Sequence, residues 1–392
     1  MATSNAARDF RVPAVIHTGR GAIGRLPEVL RAHGARRAAL ITDRVMAASP
    51  WIARLRTLAD AADVELTVFR DIEGEPTTQD VAGALDVVRA AGADVVIGFG
   101  GGSALDTAKC AAALTANPGP VTAYEGYEKF AHGGLPVIAL PTTAGTGSEV
   151  TRGVAITDTA RSVKMLLMSS WLVPAAAIVD PEPTFSMPKA VTASTGLDAL
   201  THAIEAYVSR RRQPLTDPLA LDAMGRIARH LVRAYDTPDD GEAREQMCLG
   251  SLLAGMAFHN ASVALVHGMS RPIGAYFHVP HGLSNAMLLP AVLAFSVPGD
   301  PARYADVARR IGAAEGEVDD ATAAQRGVQR VTALAARLQV PTPTAWGIDR
   351  AEFRRVAPQM ARDALASGSP ANNPRLATEA EIVALYEQVI AA

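Results

Sequence analysis

The sequence predicts an α/β amino-terminal half built on a parallel sheet, followed by an all-α carboxyl-terminal half. Three observations carry that prediction. Up to about residue 186, short and nearly continuous apolar runs alternate with amphipathic segments. Beyond it those runs stop, and long Ala- and Leu-rich stretches take over. The turn-rich DPEPTFSMP (180–188) stands between the two textures. With 392 residues, 49% of them hydrophobic, the chain is long enough for two cores. The expected domains are 1–186 and 187–392, with a ligand site in the cleft between them.

Taken in order, RAALIT (37–42), ELTVF (65–69), DVVIGFG (94–100), PVIALPTT (136–143) and AAIVD (176–180) read as strands buried on both faces. Ahead of them, FRVPAVIHTG (10–19) offers an edge strand through which copies of the chain could pair. Helical patterning covers 190–209, 217–234, 241–271, 301–312, 321–338 and 375–391.

Charged residues make up 20% of the chain, for a net charge of −3, so neither nucleic acid nor a membrane surface is an expected partner. No apolar run reads as a membrane span. The start, MATSNAARDF, lacks a charged segment leading into an apolar one, so it does not read as a secretory signal. Cys110 and Cys248, the two cysteines, sit in apolar helical surroundings. Two such thiols argue for a reducing compartment, and the expected location is the cytoplasm.

VVIGFGGGSALDTAK (95–109) runs from strand through glycines into helix. Such a turn lets backbone approach a phosphate, and the helix start offers free N–H groups. Ser103 and Asp106 also fit a capping box, whose only duty would be to start the helix. LPTTAGTGSEVT (140–151) follows another strand with Thr142, Thr143, Thr146 and Ser148 around two glycines. It suits a diphosphate or ribose, or is an ordinary polar loop. Both loops would face the carboxyl edge of the sheet, where open α/β sheets bind ligands. ALITD (39–43) ends a strand on Asp43, which either holds the adenosine ribose, favouring NAD over NADP, or is a turn residue.

Six of the nine histidines fall between residues 202 and 281. In LDALTHAIEAYVS (197–209), Asp198 and His202 share a helix face. VALVHGMSRP (263–272) carries His267, and FHVPHGLSN (277–285) carries His278 and His281. Asp198, His202, His267 and His281 make a workable divalent-cation set with room for a substrate. The alternatives are a helix cap at Asp198 paired with Thr195, a core role for His202, and a loop end at His281.

GRGAIGRLPEVL (19–30), GFGGGSALDTAK, PTTAGTGSEVT, IVDPEPT, TGLDALTHAIEAYVS, VHGMS and VPHGLSNAMLLP (279–290) occur in one order along nearly the whole chain. Together they resemble the iron-containing (group III) alcohol dehydrogenases, the family of lactaldehyde reductase and 1,3-propanediol dehydrogenase. The resemblance implies a small alcohol or aldehyde as substrate, NAD as cofactor, and Fe²⁺ or Zn²⁺ in the cleft. It also implies a homodimer or larger homo-oligomer. It assigns the metal to Asp198, His202, His267 and His281. It assigns the cofactor to Asp43, Gly100, Gly101, Gly102, Ser103, Thr142, Thr143 and Thr146, with Lys164 on the nicotinamide side. The metal would polarise the substrate oxygen, and the nicotinamide would carry the hydride.

Two positions depart from the family pattern. Many relatives carry a proton-relaying histidine four residues after the third ligand, where this chain has Arg271. Arginine does not shuttle protons at neutral pH, so another route is needed, such as a ribose hydroxyl, water or His278. Arg271 would instead bind an anionic group on the substrate, pair with a protein carboxylate, or pack. His259 is the second departure, and both positions are expected to line the substrate side. Competing readings are a maleylacetate reductase, whose kind lacks the full metal set, and a catalytically silent nucleotide-binding protein.

Overall fold

The computed structural model describes residues 8–161 and 163–391. The first seven residues of MATSNAARDF lie outside them. Among the described residues nine strands form two sheets: β1 (Val15–Thr18), β2 (Arg37–Asp43), β3 (Glu65–Ile72), β4 (Val95–Gly100), β5 (Gly126–Tyr127), β6 (Val137–Pro141), β7 (Gly153–Asp158), β8 (Val163–Met168) and β9 (Ala176–Val179). The larger sheet is wholly parallel, in the order β1-β9-β6-β4-β2-β3. All five strands expected from the apolar runs lie in it. FRVPAVIHTG supplies its edge strand β1, paired with β9.

Between the strands run helices α1 (Leu26–Ala32), α2 (Arg44–Ala47), α3 (Trp51–Asp60), α4 (Thr78–Ala90) and α5 (Gly102–Leu114). Successive side chains of a strand point to opposite faces, so each central strand feeds two cores. Ala38, Leu40, Val95 and Ile97 pack against α1 and α3. Ala39, Ile41 and Val96 pack against α4 and α5. The chain leaves β2 toward one face and β4 toward the other. That reversal opens a crevice at the carboxyl ends of the two strands.

The second sheet, β5-β8-β7, was not expected. β7 and β8 are buried on alternate residues only, so they lack the continuous apolar run of the main sheet.

The rest of the chain is helical: α6 (Lys189–Val208), α7 (Thr216–Asp236), α8 (Gly241–Ala261), α9 (Leu265–Phe277), α10 (His281–Ser296), α11 (Pro301–Arg310), α12 (Asp320–Arg337), α13 (Pro343–Trp346), α14 (Arg350–Ala366) and α15 (Glu379–Ala391). α10 and α14 went unpredicted, and each holds an internal proline, Pro290 and Pro358. The expected single segment 241–271 is two helices, α8 and α9, bent by 101°. Ser262, in a left-handed backbone conformation (φ 69°), makes the break. No apolar run was expected to read as a membrane span, yet one helical stretch does by length and composition. His281–Gly299 is long and apolar enough to cross a membrane. It packs against α6 and α9 and forms part of the helical core. α6 has no wet face over 196–208, where every residue is buried.

Candidate metal centre

Three helices bring the centre together. α6 presents Asp198 and His202 one turn apart. The bend after α8 turns α9 back, and His267 sits in its first turn. α10 begins at His281. The four side chains each offer one donor atom, and these atoms all lie within 4.8 Å of one another. Asp198, His202 and His267 are buried, and His281 is partly so.

The imidazoles are oriented from behind. His202 Nδ1 lies 3.3 Å from the carbonyl of Gly145. His267 Nδ1 lies 2.6 Å from Glu205 Oε2. These partners hold the proton on Nδ1 and leave Nε2 as the donor. The two Nε2 atoms then meet at 2.9 Å, and His267 Nε2 is 3.6 Å from Asp198 Oδ1. Lone pairs converging on an anion are repulsive unless a cation lies among them. One carboxylate and three nitrogens fit Fe²⁺ or Zn²⁺. The ring of Phe258 stacks on His202 at 4.1 Å and covers its face.

Electrostatics follow the same logic. Burial alone would raise the carboxyl of Asp198, but the surrounding imidazoles hold it well below the usual range. Burial lowers His202 to about 4, against the pull of Asp198. It also lowers His281. For His267 burial is outweighed by Glu205 and Asp198, and its value is raised.

Glu205 and Asn285 did not stand out in the sequence. Glu205 lies in the same helical stretch as Asp198. Besides orienting His267, it accepts from the backbone N–H groups of Ala264 (2.9 Å) and Val266 (2.6 Å). It thereby starts α9 and fixes the ligand that α9 carries. Asn285 lies one turn after His281. Its Nδ2 donates to Asp198 Oδ1 at 2.7 Å and lies 3.1 Å from His267 Nε2, while its buried Oδ1 has no partner. A carboxylate three residues after a ligand histidine, and an amide four after another, were the readable signals.

The glycine loop lies at the carboxyl end of β4. A Cβ on Gly100 (φ 155°) would fall 2.9 Å from Asp43 Oδ2, so the acid and the loop share the crevice. Asp43 also caps α2, accepting from Met46 N at 2.8 Å, so its ribose and turn roles are compatible. A Cβ on Gly101 would meet Thr143 at 3.3 Å, and one on Gly102 would meet Thr146 at 2.9 Å. The two loops therefore form one wall, with Thr142 beside them on the Gly100 carbonyl.

The expected capping box does not form. Gly101 caps α5, and Ser103 sits inside it. Asp106 instead accepts from Ser148 Oγ (2.6 Å) and Ala155 N (2.8 Å). Lys109 is buried and donates to the carbonyls of Ser148 (3.0 Å) and Gly153 (2.9 Å), tying the loops together. The alternative cap at Asp198 also fails, because Thr195 and Asp198 lie well inside α6.

Lys164, on β8, ion-pairs with Glu75 at 2.8 Å, and its charge is felt by His281. Arg271, on α9, donates to Ser369 Oγ at 2.8 Å. His278 is exposed at the left-handed end of α9 (φ 53°), outside the donor cluster. His259 is buried, its Nδ1 accepting from Arg152 N at 3.2 Å.

Comparison with known proteins agrees over almost the whole chain. Residues 13–181 match the iron-containing alcohol dehydrogenase model. Residues 192–390 match the Fe-containing alcohol dehydrogenase family, C-terminal. The chain belongs to the iron-containing alcohol dehydrogenases. It is 36% identical to a 1,3-propanediol dehydrogenase of Klebsiella pneumoniae, covering 97% of this chain and 98% of the relative. It is 35% identical to a lactaldehyde reductase of Escherichia coli (strain K12), covering 94% and 96%. A solved 1,3-propanediol oxidoreductase superimposes with a TM-score of 0.94 at 34% identity, over 98% of this chain and 100% of that one. Within the iron-containing alcohol dehydrogenases the chemistry is NAD-linked oxidoreduction of alcohols and aldehydes, with iron as the metal.

Proposed function

We propose that this alcohol dehydrogenase interconverts a short alcohol and its carbonyl form with NAD(H), using Asp198, His202, His267 and His281 as the metal ligands. One observation carries the reading: four convergent donors, held from behind, beside a glycine-walled crevice. A bound Fe²⁺ (or Zn²⁺) supplies Lewis-acid polarisation of the substrate oxygen, and the nicotinamide accepts or gives the hydride. The chain's residues do the rest. Asp198 stays anionic, and Glu205 and the Gly145 carbonyl keep Nε2 of His267 and His202 turned inward. Phe258 and the buried walls of the helices keep water away. The Gly100–Ser103 turn receives the diphosphate, Thr142, Thr143 and Thr146 line the nucleotide, and Asp43 holds the ribose. Lys164, fixed by Glu75, stands on the nicotinamide side.

In the same reading the domains divide at 186/187, and the chain works in the cytoplasm as a homodimer or larger homo-oligomer. The open side of edge strand β1 supports pairing. The intact ligand set disfavours a maleylacetate reductase and a silent nucleotide binder.

The test is NADH oxidation by anaerobically Fe²⁺-loaded protein with propionaldehyde. Turnover that chelation removes and Fe²⁺ restores is the expected result. Turnover that survives complete metal removal, or that persists in Asp198→Asn, would contradict the assignment.

A further inference from the structure

We propose that Arg271 binds an anionic group on the substrate, a carboxylate or phosphonate, and so selects short anionic aldehydes and alcohols. The proposal rests on the dehydrogenase reading above and narrows its substrate class. Arg271 lies one turn beyond His267 on the same face of α9, about 6 Å along the axis. α9 packs against β8, which carries Lys164. Two cations therefore border the space beside the metal donors. Lys164 is committed to Glu75. Arg271 is not committed. Among the described residues no carboxylate oxygen lies within 4.0 Å of its guanidinium nitrogens, and its one side-chain hydrogen bond is to Ser369 Oγ.

Glu205 is the acid whose field reaches Arg271. Its two oxygens are already taken by Ala264 N, Val266 N and His267 Nδ1. Burial presses the guanidinium toward its neutral form, so an added counter-ion would relieve it. Arg271 is only partly buried, so a ligand can reach its remaining N–H groups. A guanidinium edge matches two oxygens of a carboxylate or phosphonate. A substrate spanning metal and Arg271 would hold its reacting carbon by both ends.

The experiment pairs substrates of similar shape. Metal-loaded wild type, Arg271→Gln and Arg271→Lys are assayed with succinic semialdehyde against pentanal, and with phosphonoacetaldehyde against butanal. Wild type should prefer the anionic member of each pair. Arg271→Gln should lose about 100-fold in kcat/KM on the anionic members and stay within about threefold on the neutral ones. Arg271→Lys should fall between, because it keeps the charge but loses the fork. Equal losses on both series, or no loss, would overturn the proposal. So would a wild type that reduces only neutral aldehydes, with the dehydrogenase reading left standing.

A second readout does not need turnover. Propylphosphonate is titrated calorimetrically into Zn²⁺-loaded wild type and Arg271→Gln. Binding to wild type at least tenfold tighter supports the proposal even if no aldehyde is reduced, in which case the dehydrogenase reading alone fails. Equal binding, or none, overturns it.

Discussion

At the residue scale, the centre is governed as much by Glu205 as by the ligands. A metal-bound imidazole needs its far nitrogen held, and outer partners of this kind set ligand direction and basicity. Glu205 holds His267 Nδ1 at 2.6 Å and two backbone N–H groups of the α9 start. Glu205→Gln keeps the shape but gives up the charge that favours the proton on Nδ1. We expect metal affinity to fall about 10- to 100-fold, read by competition with a chromophoric chelator. An unchanged affinity would show that the backbone contacts alone orient His267. Asp198, His202, His267 and His281 were readable because their spacing and chemistry are unusual in apolar helical stretches. Asn285 was less readable, since an amide in a helix has many ordinary uses.

At the element scale, the glycine turn and the threonine loop behave as one unit. Lys109 and Asp106, in α5, reach across to the 148–155 segment, so the glycine turn and the threonine loop are braced together. Glu149, in the 3₁₀ turn Ser148–Val150, is buried there. Burial raises its carboxyl to about 7, despite the nearby Lys109 charge. The folded protein thus holds this proton more tightly than the unfolded chain, whose ordinary value is 4.5. The associated stability is complete below pH 4.5 and is lost as pH rises through 7, by about 3 kcal/mol. Melting curves from pH 5 to 8 should show wild type losing ground to Glu149→Gln as pH rises. Parallel curves would remove Glu149 as the cause.

The same scale shows where sequence reading stops. Continuous apolar runs marked the central strands β2, β4, β6 and β9, because strands buried on both faces have no polar side to show; β3, at the sheet edge, is buried only in part. The alternating runs of β7 and β8 carried a weaker pattern and were passed over. The break between α8 and α9 was invisible, since neither side of Ser262 holds a proline or glycine. Yet that break aims His267 at His202. The S-x-x-D box at Ser103 was legible and misleading: the glycines moved the helix start, which freed Asp106 to brace the neighbouring loop.

At the scale of the whole molecule, the centre's four side chains all come from the helical half, and glycines set how closely the α/β half approaches them. A Cβ on Gly255 of α8 would come within 2.9 Å of Gly147 Cα, in the threonine loop. A Cβ on Gly145 would lie 2.6 Å from Thr195 Cβ, in α6. Gly145 is also the residue whose carbonyl orients His202. Gly255→Ala adds one methyl at a backbone-to-backbone contact that cannot yield without moving a helix. It should cost about 1–3 kcal/mol of stability and weaken both NAD and metal binding, measured by denaturation and by titration. A loss of stability with both affinities intact would show that the two halves are not coupled through this contact.

The central claim is that Asp198, His202, His267 and His281 form one metal site. The most direct measurement is an anaerobic Co²⁺ titration of metal-free protein, followed by visible absorption. The account predicts a cobalt spectrum of low coordination number saturating at one equivalent per chain, absent in Asp198→Ala and in His267→Ala. A wild type that binds no cobalt, or variants that bind it with the same spectrum and affinity, would contradict the account.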